Sequence, residues 1–139
     1  MVPMFSCEKL SKRYGGITAL NGITLSVEPG VIGLLGPNGA GKSTLISTLL
    51  GQTPATSGRA SVCGLDVARQ QHLIRRRVGF MPENDCLIPG MTGTGYVCYV
   101  SKLAGMSHIQ AMQRTHEVLD YVELGEARYR PAEQYSAGM

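Results

Sequence analysis

An apolar run that breaks directly into a glycine-rich loop constrains this chain more than any other feature: VIGLL at 31–35, then GPNGAGKST from Gly36 to Thr44. A strand that is apolar on both faces is buried on both faces, so VIGLL is predicted to be a strand of a parallel sheet. The loop fits the pattern G-x-x-x-x-G-K-[ST] through Gly36, Gly41, Lys42 and Ser43. Glycines let the backbone curl until consecutive N–H groups point inward at phosphate oxygens. Lys42 adds a point charge for the outer phosphates, and the Ser43 hydroxyl is a ligand for Mg2+. KSTLISTLL reads as a helix with Leu45, Ile46, Leu49 and Leu50 on its apolar side and Gly51 as its stop. The positive end of that helix aims at the same spot. Pro37, Asn38, Gly39, Ala40 and Thr44 complete the candidate cradle. The ligand implied is a nucleoside triphosphate, but kinases, GTPases, motors and transporters all use such a loop.

Around the loop, residues 4–10 and 23–28 read as short strands joined to the VIGLL run by a turn at Pro29 and Gly30. Further strands are predicted at 59–63 and 78–81 (VGFM), bracketing a short helix that includes Gln70 to Arg76. From about residue 92 the pattern turns helical. One helix starts near Gly95; the next is opened by Ser107 with Gln110 three residues on, a capping box. Ile109, Met112, His116 and Leu119 fall on one stripe of that second helix. The expected organisation is α/β, with a nucleotide-binding core over 1–91 and a helical subdomain over 92–139.

The bulk properties narrow the partners. A net charge of +3 is too mild for nucleic acid to be the main partner, and Arg75, Arg76 and Arg77 read as a solvated face. The run at 31–36 is far shorter than the roughly 20 residues of a spanning helix. The start, MVPMFSCEKL, lacks the basic-then-apolar order of a secretory signal. Cysteines at 7, 63, 86 and 98 form no C-x-x-C and are read as reduced apolar fillers. His116 belongs to an apolar stripe, and His72 and His108 have no partner at ligand spacing.

Four stretches in order resemble the ATP-binding-cassette (ABC) ATPases, a P-loop NTPase family. GPNGAGKST resembles its Walker A motif, and SKRYGGITALNGITLSV its N-terminal sheet. VGFMPE resembles the strand leading into its Q-loop, and YSAGM at 135–139 its signature motif. The resemblance implies ATP and Mg2+ as ligands. It places Tyr14 under the adenine, although a stacking platform tolerates any base, so GTP stays open. It places Glu83 where the family usually has glutamine, beside Mg2+ and the attacking water; an ionised glutamate offers oxygens to the metal but no N–H. Ser136 and Gly138 match the signature positions that meet the γ-phosphate held by an opposite ATPase subunit, with Ala137 in place of a family glycine and Met139 where glutamine is common. The spellings MPEN and YSAGM resemble the branch that serves separately encoded membrane subunits of exporters. The implied partners are nucleotide, a transmembrane permease subunit and a second ATPase subunit, homodimeric or heterodimeric, at the cytoplasmic face of the membrane.

No apolar run of four residues followed by Asp-Glu occurs in 1–139. The family's Walker B carboxylates and switch histidine therefore have no match, and the chain resembles the N-terminal part of an incomplete cassette. Three readings stay open: the ATP-hydrolysing subunit of a transporter, a nucleotide-binding fragment without turnover, and a soluble cassette ATPase.

Overall fold

The computed structural model describes residues 2–82, 87–136 and 138–139. The chain divides into two compact units, Met1–Met81 and Pro82–Met139. That division falls earlier than the expected composition change near residue 92.

The first unit is built on a four-stranded antiparallel sheet in the order β2-β1-β3-β4. Its strands are β1 (Phe5–Tyr14), β2 (Ile17–Val27), β3 (Ser57–Val62) and β4 (Leu65–Asp66). The strands predicted at 4–10 and 23–28 are thus parts of one long hairpin that turns at Gly15-Gly16, where Gly15 has φ 55°. The register skips between Lys12 and Arg13, because Lys12 pairs with Leu20 and Arg13 with Thr18. Ala19 is the extra residue, and such a bulge bends the strand locally. The β3–β4 connection is a two-residue turn in which Cys63 (φ 49°) and Gly64 (φ 75°) are both left-handed, the pairing that matches the twist of a tight hairpin.

Helix α1 (Lys42–Leu49) lies on this sheet, and α2 (Gln71–Arg75) packs beside the end of α1 and against β4. Leu45 joins Cys7, Leu10 and Leu20 in one buried cluster, and Ile74 joins Val62 and Val67 in a second; Phe5, Leu49 and Ala60 pack against both. Leu10 and Ile74 are fully buried, and each such side chain contributes about 1.5–3 kcal/mol relative to exposure. Buried Thr48 satisfies its hydroxyl by donating to the Thr44 carbonyl at 2.7 Å. Leu50 caps α1, and Gly51 (φ 67°) turns the chain away as expected. Ile46, expected on the apolar side of α1, is exposed. Arg75, Arg76 and Arg77 are exposed, the solvated face the sequence suggests.

Two predicted strands do not form. Residues 31–35 and 78–81 carry no strand pairing, and Val31, Leu35 and Met81 stand almost wholly in solvent. A strand apolar on both faces is stable only with ladder partners beside it and layers above and below. Neither run has a ladder partner among the described residues, and the sheet that forms is antiparallel rather than parallel.

The second unit is helical: α3 (Gly93–Leu103), α4 (His108–Tyr121) and two short 3-10 turns, Gly125–Tyr129 and Ala132–Gln134. Thr92 caps α3 by accepting from the Gly95 N–H at 3.1 Å, so the helix starts two residues earlier than predicted. The capping box on α4 is present in both directions: Ser107 Oγ accepts from the Gln110 N–H at 3.3 Å, and Gln110 Oε1 from the Ser107 N–H at 3.1 Å. The buried face of α4 is Ala111, Thr115 and Leu119, while Ile109 is 80% exposed. The predicted stripe is rotated: small side chains at 111 and 115 take the buried face, and Thr115 satisfies its hydroxyl there by donating to the Ala111 carbonyl. His116 is only half-buried.

Candidate nucleotide site

The glycine loop is held in shape by three devices, two of them local. Gly39 and Gly41 have φ of 81° and 90°, a left-handed backbone that disfavours any side chain. The loop also rests directly on the bulge of β2: a Cβ on Gly41 would lie 2.4 Å from the Ala19 carbonyl oxygen and 3.1 Å from Leu20 Cδ2. Finally, the Ala40 N–H donates to the Pro37 carbonyl at 3.2 Å, closing a turn. These devices hold without a strand at 31–35.

Lys42 folds back over this turn. Its ammonium donates to the carbonyls of Gly36 and Pro37, both at 2.7 Å. Neutral carbonyls are weaker acceptors for an ammonium than phosphate oxygens are, so the cation is already placed at the loop mouth with exchangeable partners. Gly41 caps α1 without any side-chain hydrogen bond, and the first turn carries no acidic residue. The leading amides of a helix have no intrahelical acceptor, and they carry the positive end of the dipole. Gly36 to Ala40 and Ser43 are exposed, with open space where a Cβ on Gly39 would stand. A left-handed glycine loop, an ammonium held on its carbonyls and an uncapped helix start fit a polyphosphate.

Tyr14 ends β1, paired with Ile17 across the hairpin. About 7 Å of strand separates Ile17 from Ala19, whose carbonyl abuts Gly41. The sheet therefore brings Tyr14 and the loop to one end of the first unit. The Tyr14 side chain is half exposed. The Lys12 ammonium stands 4.8 Å from its ring centroid and donates to the Pro54 carbonyl at 2.7 Å.

The signature residues belong to the second unit. Ser136 and Gly138 are exposed, and the Met139 N–H donates to the Ser136 carbonyl at 2.9 Å. They follow Tyr135, whose hydroxyl donates to the Ala127 carbonyl at 2.7 Å. The Tyr135 hydroxyl fills the space in front of Gly93: a Cβ there would lie 2.2 Å from it. Nearby, Arg128 donates to the carboxylate of Asp120 and to the Gly125 carbonyl, and the Asp120 bond pushes its already high pKa further up. Glu83, Asp85, Cys86 and Ala137 lie outside the described residues. Among the described residues no cluster of three or more His, Cys, Asp or Glu side chains forms a metal site, which leaves Ser43 as the described protein ligand the sequence suggested for Mg2+.

Sequence reasoning missed Lys12 and Tyr135. Lys12 carried a readable signal, since residues two apart on a strand share a face. The anchoring of Tyr135 depends on Gly93 and Ala127, which are distant in sequence, and had no such signal. The filler reading of cysteine holds for buried Cys7 and Cys98 but not for exposed Cys63. Burial pushes the Cys7 thiol pKa up.

A family model described as "ABC transporter" matches residues 20–139. The linearmycin resistance ATP-binding protein of Bacillus subtilis (strain 168) is 37% identical over 137 residues, which is 98% of this chain and 44% of that protein. The Nod factor export ATP-binding protein I of Azorhizobium caulinodans is 38% identical over 92% of this chain and 40% of its own length. The daunorubicin/doxorubicin resistance ATP-binding protein of Streptomyces peucetius is 39% identical over 94% of this chain and 40% of its own. The chain thus spans 40–44% of the length of these curated relatives. Among solved structures, an ATP-binding cassette of an ABC transporter superposes with a TM-score of 0.77 at 24% identity, over 99% of this chain and 61% of that one. That likeness establishes a common fold. Among the described residues, no helix is long and apolar enough to cross a membrane.

Proposed function

The chain belongs to the ABC transporter family, and on that premise we propose that it is the ATP-binding part of a transporter subunit. Its glycine loop holds the phosphates of Mg-ATP at the cytoplasmic face of a membrane, and ATP binding and hydrolysis drive transport through a separately encoded transmembrane partner. Relatives named for export and for drug resistance support an exporter.

The observation that carries this reading is the Lys42 ammonium, held on two loop carbonyls at the uncapped start of α1. Phosphoryl transfer asks mainly for positioning and charge stabilisation. The loop amides and the α1 start bind and orient the β- and γ-phosphates. Lys42 trades the carbonyls of Gly36 and Pro37 for phosphate oxygens, and the exposed Ser43 hydroxyl holds Mg2+. Mg2+ held there would supply charge neutralisation for the phosphates. Tyr14 supplies a face for the base. Glu83 is assigned to the metal and the attacking water. Ser136 and Gly138 are assigned to the γ-phosphate of a second ATPase subunit. These three roles rest on the family resemblance.

Equilibrium dialysis of ATP and AMP against the chain and its Lys42→Ala variant tests the phosphate role. Charge-assisted hydrogen bonds contribute about 1.5–3 kcal/mol, so ATP affinity is expected to fall roughly 10- to 100-fold while AMP affinity falls much less. An equal loss for both nucleotides would reject the assignment.

A further inference from the structure

We propose that Lys12 is a positioning residue for the nucleobase: it fixes the Tyr14 ring and leaves one ring face for a purine. The inference rests on the reading of Tyr14 as the base platform. Its ammonium sits over the ring at 4.8 Å from the centroid, inside the range of cation–π attraction. The same ammonium is itself tethered, donating to the Pro54 carbonyl at 2.7 Å in the loop that follows α1. That loop is tied to the strand a second and third time: the Thr56 N–H donates to the Ser11 carbonyl at 2.8 Å, and the Arg13 N–H to Thr56 Oγ1 at 3.0 Å. The cation is therefore held from both sides, by the ring and by a backbone oxygen. Across the hairpin, Lys12 pairs with Leu20, the side chain that borders Gly41 of the phosphate loop.

The consequence for binding is physical. An exposed aromatic side chain at a hairpin end is free to rotate, and a ligand that stacks on it must fix it. Lys12 fixes it beforehand, using the ring face that the ligand does not need. The Tyr14 side chain nevertheless stays 47% exposed, so a face remains for the base. Lys12 then acts on the base-dependent part of affinity and not on the phosphate-dependent part.

The test titrates the full chain with ATP and with inorganic tripolyphosphate, which has phosphates but no base, in four variants: Lys12→Met, Lys12→Arg, Tyr14→Ala and the Lys12→Met/Tyr14→Ala pair. A cation–π contact at an exposed site is worth about a 2- to 5-fold change in affinity. Lys12→Met is expected to weaken ATP by that factor and leave tripolyphosphate unchanged. Lys12→Arg, which keeps the cation, should restore ATP binding. In the Tyr14→Ala background, Lys12→Met should cost nothing more, because the ring it positions is gone. Equal weakening of both ligands by Lys12→Met would make it a phosphate contact or a fold defect and overturn the proposal. So would a Lys12→Met loss that persists without the Tyr14 ring, or Lys12→Met binding ATP normally while Tyr14→Ala does not. If Tyr14→Ala itself leaves ATP binding intact, the platform reading fails, and the proposal fails with it.

Discussion

Gly41→Ala is a sharp perturbation of the phosphate loop, because two separate costs meet at one atom. The first is conformational. Gly41 has φ 90°, and placing a Cβ in the left-handed region costs about 1–2 kcal/mol. The second is steric. The new Cβ would lie 2.4 Å from the Ala19 carbonyl oxygen, whereas carbon and carbonyl oxygen normally rest at about 3.3–3.6 Å. Either β2 or the start of α1 must retreat by roughly the difference. Both are backbone, and Ala19 is already the extra residue of a bulge. Forcing a methyl into such packing adds about 1–3 kcal/mol, for a total of about 2–5 kcal/mol. A domain holds about 5–15 kcal/mol in all. The control is Gly39→Ala. Its φ of 81° is similar, but no atom lies within 4 Å of the added Cβ, so only the conformational cost of about 1–2 kcal/mol applies. Hydrogen exchange of the β2 and α1 amides, followed through a urea series, reads both variants against the parent. Gly41→Ala is expected to open these elements at clearly lower urea than Gly39→Ala. Equal opening of the two, or greater loss in Gly39→Ala, would mean that the loop does not rest on Ala19 as described.

Three further outcomes probe the rest of the molecule. Gly93→Ala puts a Cβ 2.2 Å from the Tyr135 hydroxyl and should destabilise the second unit; adding Tyr135→Phe removes that oxygen, so the double variant should melt above Gly93→Ala alone, and simple additivity in thermal unfolding would refute the contact. Maleimide labelling read by peptide mass should modify Cys63 well before Cys7 and Cys98, since only the first is exposed. The raised Cys7 pKa means the fold binds that proton more tightly than the unfolded chain does. Cys7 therefore lowers stability as pH climbs above the ordinary thiol range, and Cys7→Ala should flatten the alkaline limb of a pH–stability curve. An unchanged limb would count against that burial effect.

What is legible in the sequence divides by the range over which each residue's partner lies. The phosphate loop can be read because its devices are local: left-handed glycines, a lysine within reach of its own loop, and a helix that starts at the next residue. The Ser107–Gln110 capping box and the Gly51 stop are legible for the same reason. The runs VIGLL and VGFM fail because a doubly apolar strand is defined by its neighbours, and no neighbour is written in the run itself. Without ladder partners Val31, Leu35 and Met81 face water, although the same residues would suit a buried sheet. The stripe on α4 fails for a related reason: hydrophobicity alone selects Ile109, whereas the face that is buried is Ala111, Thr115 and Leu119. Register shifts at Ala19 and elsewhere in the hairpin break the simple alternation by which β1 and β2 would be read from the sequence. The candidate site inherits this division. Its phosphate half, from Gly36 to Ser43, keeps its shape through Gly41, Ala19 and Lys42 even where the preceding run forms no strand. Its base half depends on Tyr14 meeting Lys12 along one strand and on Lys12 reaching Pro54 in the loop after α1, far away in sequence. That is why polyphosphate binding can be argued from nine consecutive residues, and why the tether that supports the base platform emerges only once β1 and the segment after α1 are seen together.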